Sequence, residues 1–177
     1  MNSIIRNAYV NERVTASQAN VRDTEEIMDI LIGTARWLQS KGSTQWGGLL
    51  RGEDSHDMVG SISRGEVFAF KENGVCVGTV ILKQMVSEWD KDLWGENEGE
   101  LNTSVFVHRL AISRDHAGEG LGADILRWIE SGVCYNDKDR IRLDCIGDNI
   151  TLNRFYSQCG YEYMGGVNGF SKYEKLL

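Results

Sequence analysis

The amino-acid sequence predicts a single α/β domain over residues 1–177, with a mixed, mostly antiparallel central sheet flanked by about four helices. Apolar runs of strand length alternate with stretches whose apolar residues recur at helical spacing. With 177 residues, 41% of them hydrophobic and 25% charged, the chain can form one core, and no repeat or linker interrupts it. The predicted element order is β-α-α-β-β-β-α-β-α-β-β.

The charge balance and the cysteines limit the classes of partner. With 19 basic and 26 acidic residues the net charge is −7, which disfavours nucleic acid because that binding relies on basic groups. No stretch has the ~20 apolar residues of a membrane span, and the first residues lack the apolar core of a signal peptide. We therefore expect a cytoplasmic protein without a nucleic-acid or membrane partner. The four widely spaced cysteines are expected to be buried, reduced thiols, with no metal site.

The N-terminal half is predicted to hold a strand, two helices and a β-hairpin. In order, these are strand Val14–Ser17, a helix from about Val21 to Ser40, a short helix within Asp54–Arg64, and strands Glu66–Lys71 and Val75–Lys83. Asp23 or Thr24 is expected to cap the first helix. The turn Glu72-Asn73-Gly74 is a hairpin signal.

The C-terminal half begins with an irregular acidic stretch, Met85–Glu100, which is predicted to be a long loop. The predicted elements that follow are strand Thr103–Ile112, a helix after Gly122, strand Arg140–Ile146, a helix from Asp148 or Asn149, and strands Tyr161–Met164 and Phe170–Tyr173. Turns are expected at Gly165-Gly166 and Asn168-Gly169.

The stretch Val105–Glu130 carries the main functional signal. An apolar strand leads through Gly118-Glu119-Gly120-Leu121-Gly122 into a helix whose apolar residues share one face. Glycines allow close approach of the backbone, and the first N–H groups of a helix have no internal acceptor and favour an anion. The arrangement therefore predicts a phosphate-binding site.

Two common phosphate motifs fit poorly. A Walker loop needs Lys-Ser or Lys-Thr after the glycines, and none follows here. A dinucleotide fold needs G-x-G-x-x-G after a first strand, whereas this chain has G-x-G-x-G late in the sequence. A glycine turn that merely packs tightly is the remaining structural alternative.

A second segment makes the interpretation more specific. Ala117–Gly122, after Leu110-Ala111-Ile112-Ser113, resembles the pyrophosphate loop Q/R-x-x-G-x-G/A of the GNAT acetyltransferase superfamily. Asn149–Tyr161, NITLNRFYSQCGY, resembles the later family motif N-x-x-A-x-x-[LF]-Y-x-x-x-G-[FY]. Two motifs in the right order identify the chain as GNAT-like, and the predicted element order is similar to the family's. Ala117 departs from the pattern, because the family usually has Gln or Arg there.

The resemblance implies acetyl-CoA as cofactor and direct acetyl transfer to a primary amine of a small molecule or peptide. The backbone of Leu110, Ala111 and Ile112 would receive the pantetheine arm and polarise the thioester carbonyl. Asn149 and Asn153 would hydrogen-bond the arm. The residues implied in binding the pyrophosphate are Ala117, Gly118, Glu119, Gly120, Leu121, Gly122 and Ala123.

Tyr156 occupies the position of the family's tyrosine that protonates the departing sulfur, and it would also contact the cofactor. His108 is the candidate base, because a histidine can take a proton near neutral pH, directly or through water. Regular alternation would place Phe106, His108, Leu110 and Ile112 on one face of the strand. The alternatives for the base are Glu88, Glu100, Asp144 and a water chain.

The acceptor site is the least specified part of the prediction. Trp37, Trp46, Trp89 and Trp94, with the acidic 85–100 stretch, would suit a cationic and partly apolar amine. Core tryptophans beside a solvated acidic loop are the alternative. A homodimer is possible. The rival function is a non-catalytic domain that binds or senses acyl-CoA.

Overall fold

The computed structural model describes residues 4–177 and confirms the α/β class with mixed, mostly antiparallel strand pairing. The strands are β1 Ile4–Ile5, β2 Val14–Gln18, β3 Val67–Glu72, β4 Val75–Lys83, β5 Ser104–Ile112, β6 Val133–Cys134, β7 Arg140–Ile146, β8 Glu162–Val167 and β9 Phe170–Leu176. The α-helices are α1 Thr24–Ser40, α2 Gly47–Leu50, α3 Met58–Ser63, α4 Glu88–Trp94, α5 Glu98–Asn102, α6 Leu121–Ser131 and α7 Ile150–Gln158. Two 3-10 helices cover Val21–Asp23 and Arg114–His116. Within residues 4–177, every helix is too short or too polar to cross a bilayer.

The chain divides into two compact units. The glycine-loop unit contains residues 4–81 together with Arg109–Cys134. The histidine unit contains Leu82–His108 and Tyr135–Leu177. Strands β4 and β5 each contribute residues to both units, and a single domain over residues 1–177 stays a prediction.

The glycine-loop unit is built on the antiparallel strands β2, β3 and β4, in that order. The β3–β4 turn has positive φ at Asn73 (50°) and Gly74 (81°), as a two-residue hairpin requires. Helix α1 buries Ile27, Leu31, Ala35 and Leu38 along one face. The first three pack with β3 residues and with Ala111 in one apolar cluster, which fixes the end of β5 against this core.

The histidine unit has the strand order β5-β7-β9-β8. Strands β5 and β7 are parallel, whereas β7–β9 and β8–β9 are antiparallel. The predicted turn at Asn168-Gly169 is confirmed by φ values of 51° and 83°. Gly165 and Gly166 lie within β8, where the register with β9 shifts, and they do not form the predicted separate turn.

The predicted loop at 85–100 is wrong. Ser87 caps α4 in a capping box with Asp90, and the Asn97 side chain caps α5 by accepting from the Glu100 N–H. These side chains satisfy N–H groups that otherwise lack acceptors, so short acidic segments become helical.

Asp23 is the N-cap residue of the first helix, as expected, but its side chain makes no capping hydrogen bond to α1. Asn20 begins the helical segment in a capping box with Asp23. Lys71 pairs with Asp23 at 2.6 Å instead. The four cysteines are free thiols as predicted, although only Cys76 and Cys145 are fully buried.

Candidate active site

The glycine loop has an open backbone shape. Gly118 and Gly120 have φ of 79° and 82°, a conformation that disfavours any side chain, and residues 117–120 are exposed. Gly120 begins α6 without a side-chain cap, and the first intrahelical bond runs from the Asp124 N–H to the Gly120 carbonyl at 3.1 Å. The N–H groups of residues 121–123 therefore have no acceptor within the helix, and such groups bind anions.

Helix α6 is held firmly behind this loop. Its buried face contains Leu121, Ile125, Leu126, Trp128 and Ile129. The Trp128 ring packs edge-on against Phe68 and Phe70, with centroids 5.5 and 5.3 Å apart. The loop is thus exposed while the helix that aims its N–H groups is anchored on β3.

The loop lacks a side-chain donor at Ala117, which has φ −65° and ψ 139° after the 3-10 turn. A different cation lies close by. Arg13, exposed to 61%, pairs with Glu119 at 3.3 Å and with Glu72 at 3.5 Å. No sequence motif points to Arg13, because only the fold brings it to a loop more than 100 residues later.

Strand β5 is kinked at Arg109, whose φ of 53° is left-handed. A non-glycine residue in this region is uncommon inside a strand and interrupts the pleat. The predicted alternation from Phe106 to Ile112 therefore does not run through this point. Beyond the kink, Ala111 is buried, and a Cβ at Gly78 of β4 would lie 3.2 Å from the Ala111 carbonyl oxygen.

His108 lies in a buried ion-pair network in the histidine unit. Its Nε2 is 3.1 and 3.3 Å from the two carboxylate oxygens of Asp90, and the two residues are 7% and 1% exposed. The Asp90 carboxylate also accepts from the backbone N–H and the hydroxyl of Ser87. Burial alone would raise the pKa of Asp90, but the bonds from His108 and Ser87 outweigh it and hold that pKa below its usual range.

Asp144 is the second carboxylate of this cluster. The β5–β7 register runs to Val107 and Leu143, so His108 and Asp144 are the next residues on neighbouring parallel strands. Trp89 donates its indole N–H to Asp144 at 3.2 Å. Burial raises the pKa of Asp144, and the negative charge of Asp90 raises it further. The charge of His108 and the hydrogen bond from Trp89 act in the opposite direction and offset part of this rise.

The other predicted alternatives for the base are engaged elsewhere. Glu88 has an 89% exposed side chain and pairs with Lys91 at 3.3 Å. Glu100 pairs with Arg142 at 2.6 Å. Among the candidates, the structure brings only Asp144 into the charge network of His108 and Asp90.

Tyr156 lies on α7 and is 7% exposed. Its ring packs among Phe155, Tyr161 and Tyr173 at centroid distances of 5.3, 6.3 and 5.7 Å. Burial, with a smaller contribution from the Cys145 and Asp144 side chains, raises the pKa of its hydroxyl well above the ordinary value. The phenol is therefore fully protonated near neutral pH.

The two predicted asparagines have structural partners. Asn149 caps α7 by accepting from the Leu152 N–H at 3.0 Å, which leaves its amide nitrogen as a donor. Asn153 donates to the carbonyls of Ile146 and Asn149 and accepts from the Tyr173 hydroxyl at 2.8 Å. These bonds tie α7 to β7 and β9, so Asn153 supports the start of α7 whatever else it binds.

The predicted tryptophan-lined pocket is not assembled in either unit. In the glycine-loop unit, the guanidinium of Arg114 covers Trp37 at 3.9 Å, and that of Arg109 covers Trp46 at 5.0 Å. In the histidine unit, Trp94 packs with Arg142 and Lys172 at 4.3 and 5.1 Å, and Trp89 packs edge-on against Phe170. Three of the four tryptophan rings, those of Trp37, Trp46 and Trp94, are therefore already covered by arginine or lysine side chains of the protein itself.

Known proteins are similar to this chain along most of its length. Residues 31–161, more than half of the chain, match the model of the acetyltransferase (GNAT) family. A Bacillus subtilis (strain 168) protein described as the uncharacterized N-acetyltransferase YesJ is 45% identical over 174 residues, covering 98% of this chain and 96% of that protein.

Solved structures share the fold. A GNAT-family acetyltransferase from Listeria monocytogenes 4b F2365 is 35% identical, with a TM-score of 0.76 and coverage of 93% of this chain and 95% of that one. The PaiA N-acetyltransferase from Thermoplasma acidophilum, solved in complex with coenzyme A, has a TM-score of 0.70 over 93% of this chain and 99% of that one. At 13% identity, the second likeness concerns the fold alone.

Proposed function

The chain belongs to the acetyltransferase (GNAT) family, and from that premise we propose that it transfers an acetyl group directly to a primary amine of a small molecule or a peptide. Its activity is acetyl-CoA-dependent acetyl transfer. The buried His108–Asp90 pair carries the proposal of catalysis, because an imidazole beside an ionised carboxylate is the arrangement that takes up a proton in general base catalysis.

The glycine loop fits the pyrophosphate of the cofactor. The N–H groups of residues 121–123 and the positive end of the α6 dipole would hold the phosphates, without a side chain from Ala117. In the glycine-loop unit, the backbone of Leu110–Ile112 would hold the pantetheine arm. In the histidine unit, Asn149 keeps its amide nitrogen as a donor for the cofactor. Acetyl-CoA supplies the acetyl group as a thioester, whose leaving thiolate requires a proton.

His108 would act as the general base. With Asp90 ionised, the proton of the neutral imidazole is held at Nε2 by the carboxylate, so Nδ1 is the basic nitrogen of the ring. Asp90 then stabilises the imidazolium that forms when Nδ1 takes a proton from the acceptor ammonium. Asp144 lies in the same charge network and would help to stabilise that positive charge.

Tyr156 would act at the leaving sulfur. Its raised pKa keeps the Oη proton in place at every pH at which the amine is reactive. Passing that proton to a thiolate, with an ordinary pKa of about 8.5, is uphill for such a phenol. We therefore propose that the hydroxyl first stabilises the developing charge by a hydrogen bond, and that its proton is transferred late and replaced from the amine.

Two measurements on the full-length protein test this function. Calorimetry should show micromolar binding of acetyl-CoA, and a thiol-release assay with a panel of amines and peptides should show turnover. Binding without any turnover, together with unchanged binding in His108→Gln, would favour the non-catalytic alternative. Absence of acetyl-CoA binding to the folded protein would exclude both the catalytic function and the non-catalytic alternative.

A cytoplasmic location and a homodimer belong to the same proposal. Four free thiols and a cofactor of cytosolic metabolism support the location. Cell fractionation tests the location, and sedimentation velocity tests the dimer, which a single species at 19.9 kDa would contradict.

A further inference from the structure

Arg109 is a partly buried cation that no carboxylate of the described chain pairs with. Its Nε donates to Nδ1 of His56 at 3.2 Å, and its Nη2 donates to the Ser55 hydroxyl at 3.2 Å. Its Nη1 is buried and lacks a hydrogen-bond partner among residues 4–177. A buried charge without an opposite partner is destabilising, so an anion from outside the chain would stabilise this arrangement.

Asp54, whose negative charge acts on Arg109, already has a hydrogen-bond partner. Asp54 acts on Arg109 only by electrostatic attraction, without a hydrogen bond. Its Oδ2 accepts a hydrogen bond from the Met58 N–H at 2.7 Å, at the start of α3. Burial lowers the pKa of the guanidinium, and Asp54 offsets only part of that shift. The group still stays charged near neutral pH, because an arginine does not deprotonate in proteins.

The surroundings of Arg109 hold strained backbone. Trp46, whose ring lies under the guanidinium, has φ of 61°, and Asp57, beside His56, has φ of 47°. Arg109 itself has φ of 53°. Three non-glycine residues around one side chain therefore hold a left-handed backbone conformation. Such strain clusters at ligand-binding sites, where the surrounding fold fixes it.

We propose that Arg109 determines specificity by binding an anionic group, a carboxylate or a phosphate, on the acceptor amine. This inference rests on the proposed function. Arg109 directly precedes Leu110–Ile112, the backbone proposed to hold the acetyl end of the cofactor. The glycine loop that would take the pyrophosphate begins only at Gly118, beyond the end of β5 and the Arg114–His116 turn. The anion at Arg109 therefore belongs to the acceptor.

The geometry favours an anion that presents two oxygen atoms. Nη1 has no hydrogen-bond partner within residues 4–177, and Nη2 can exchange the neutral Ser55 hydroxyl for a charged oxygen. Together they form the fork that binds carboxylate and phosphate in a bidentate manner, about twice as strongly as neutral hydrogen bonds. His56 and Trp46 keep the guanidinium plane oriented from its other sides.

Matched acceptor pairs test the proposal on the wild-type protein. With saturating acetyl-CoA, thiol release and calorimetric binding are measured for amino acids against their primary amides, and for aminoalkyl phosphates against the corresponding amino alcohols. We expect at least about a tenfold higher kcat/KM for the anionic member of one pair type, from a charge-assisted hydrogen bond. The pair type that responds identifies the anion as carboxylate or phosphate.

Two substitutions locate the effect. Arg109→Gln should raise KM for the anionic acceptor at least about tenfold, while KM for acetyl-CoA changes less than about twofold. Arg109→Lys keeps the charge without the fork and should give an intermediate KM. Arg51→Gln is the control, because Arg51 is an exposed arginine in the same unit whose partner is the surface residue Glu53.

Turnover of amines without regard to their charge would overturn the inference and leave the proposed function standing. Absence of any turnover and of any binding by anionic amines would overturn both. If Arg109→Gln does not fold, the matched acceptor pairs measured on the wild-type protein, together with the KM values of Arg109→Lys, test the inference. Equal KM values for anionic acceptors in Arg109→Lys, Arg51→Gln and wild type would count against a role of the guanidinium.

Discussion

Replacing Asp90 by Asn removes the charge beside His108 while keeping the size of the side chain. The amide can still accept from Ser87, so α4 keeps its cap, but it no longer favours an imidazolium at 3.1 Å. A hydrogen bond to a charged group contributes about 1.5–3 kcal/mol. At about 1.4 kcal/mol per factor of ten, the expected fall in kcat/KM is about 10- to 150-fold.

The same substitution should also lower the stability of the protein, by an amount that depends on pH. The folded pKa of Asp90 lies below its unfolded value, so its contribution is fully present above the unfolded pKa of about 3.9 and is lost as pH falls through the folded pKa. Asp90→Asn should therefore lower the free energy of unfolding at pH 7 by about 1.5–3 kcal/mol. The difference from wild type should shrink below about pH 4.

Thiol-release kinetics between pH 6 and 9, and urea unfolding at pH 7 and pH 3, measure the two effects. Asp92→Asn is the matched control, because Asp92 is an exposed aspartate on the same helix. Asp90→Asn with kcat/KM within threefold of Asp92→Asn would refute the role of the His108–Asp90 pair. An unfolding free energy equal to wild type at pH 7 would refute the electrostatic argument itself.

Three further substitutions probe the rest of the site. Tyr156→Phe should lower kcat at least about tenfold with little change in the Kd for acetyl-CoA, seen by kinetics and calorimetry; unchanged kcat would exclude a role at the leaving sulfur. Gly120→Ala forces an alanine into the left-handed conformation at the start of α6, which should lower the free energy of unfolding by about 1–2 kcal/mol and weaken acetyl-CoA binding. Gly33→Ala is the control, because a Cβ at Gly33 meets nothing within 4 Å. Arg13→Gln should weaken acetyl-CoA binding a few-fold at low salt, and the difference should fade at 0.5 M salt; an effect independent of salt would argue against a phosphate contact.

Much of the fold could be predicted because its signals are local. Strands β4 and β7 have the predicted bounds, and α6 follows from the spacing of Leu121, Ile125 and Trp128. The α4 and α5 helices were missed because their acidic sequences lack an apolar period. Ser87 with Asp90 was the available signal, since a Ser-x-x-Asp pattern can close a capping box.

The site was only partly predictable, for a physical reason. The glycine loop is a contiguous motif, so its backbone geometry can be inferred from Gly118 and Gly120. The partner of His108 is 18 residues away on a helix that the sequence did not indicate. Arg13 and Arg109 depend likewise on which elements pack together, and that information is not local.

The acidic composition shows why charge alone misleads about the substrate. The −7 charge and the acidic 85–100 stretch favoured a cationic acceptor, yet Asp90, Glu100 and Glu88 of that stretch pair with cations of the chain or with His108. Among residues 4–177, Arg109 instead has no carboxylate at ion-pair distance, and its Nη1 has no hydrogen-bond partner. An anion on the acceptor would pair with this guanidinium, so the charge that the site offers to a substrate is positive. An acceptor that carries both an amine and an anion would thus be held and oriented by Arg109.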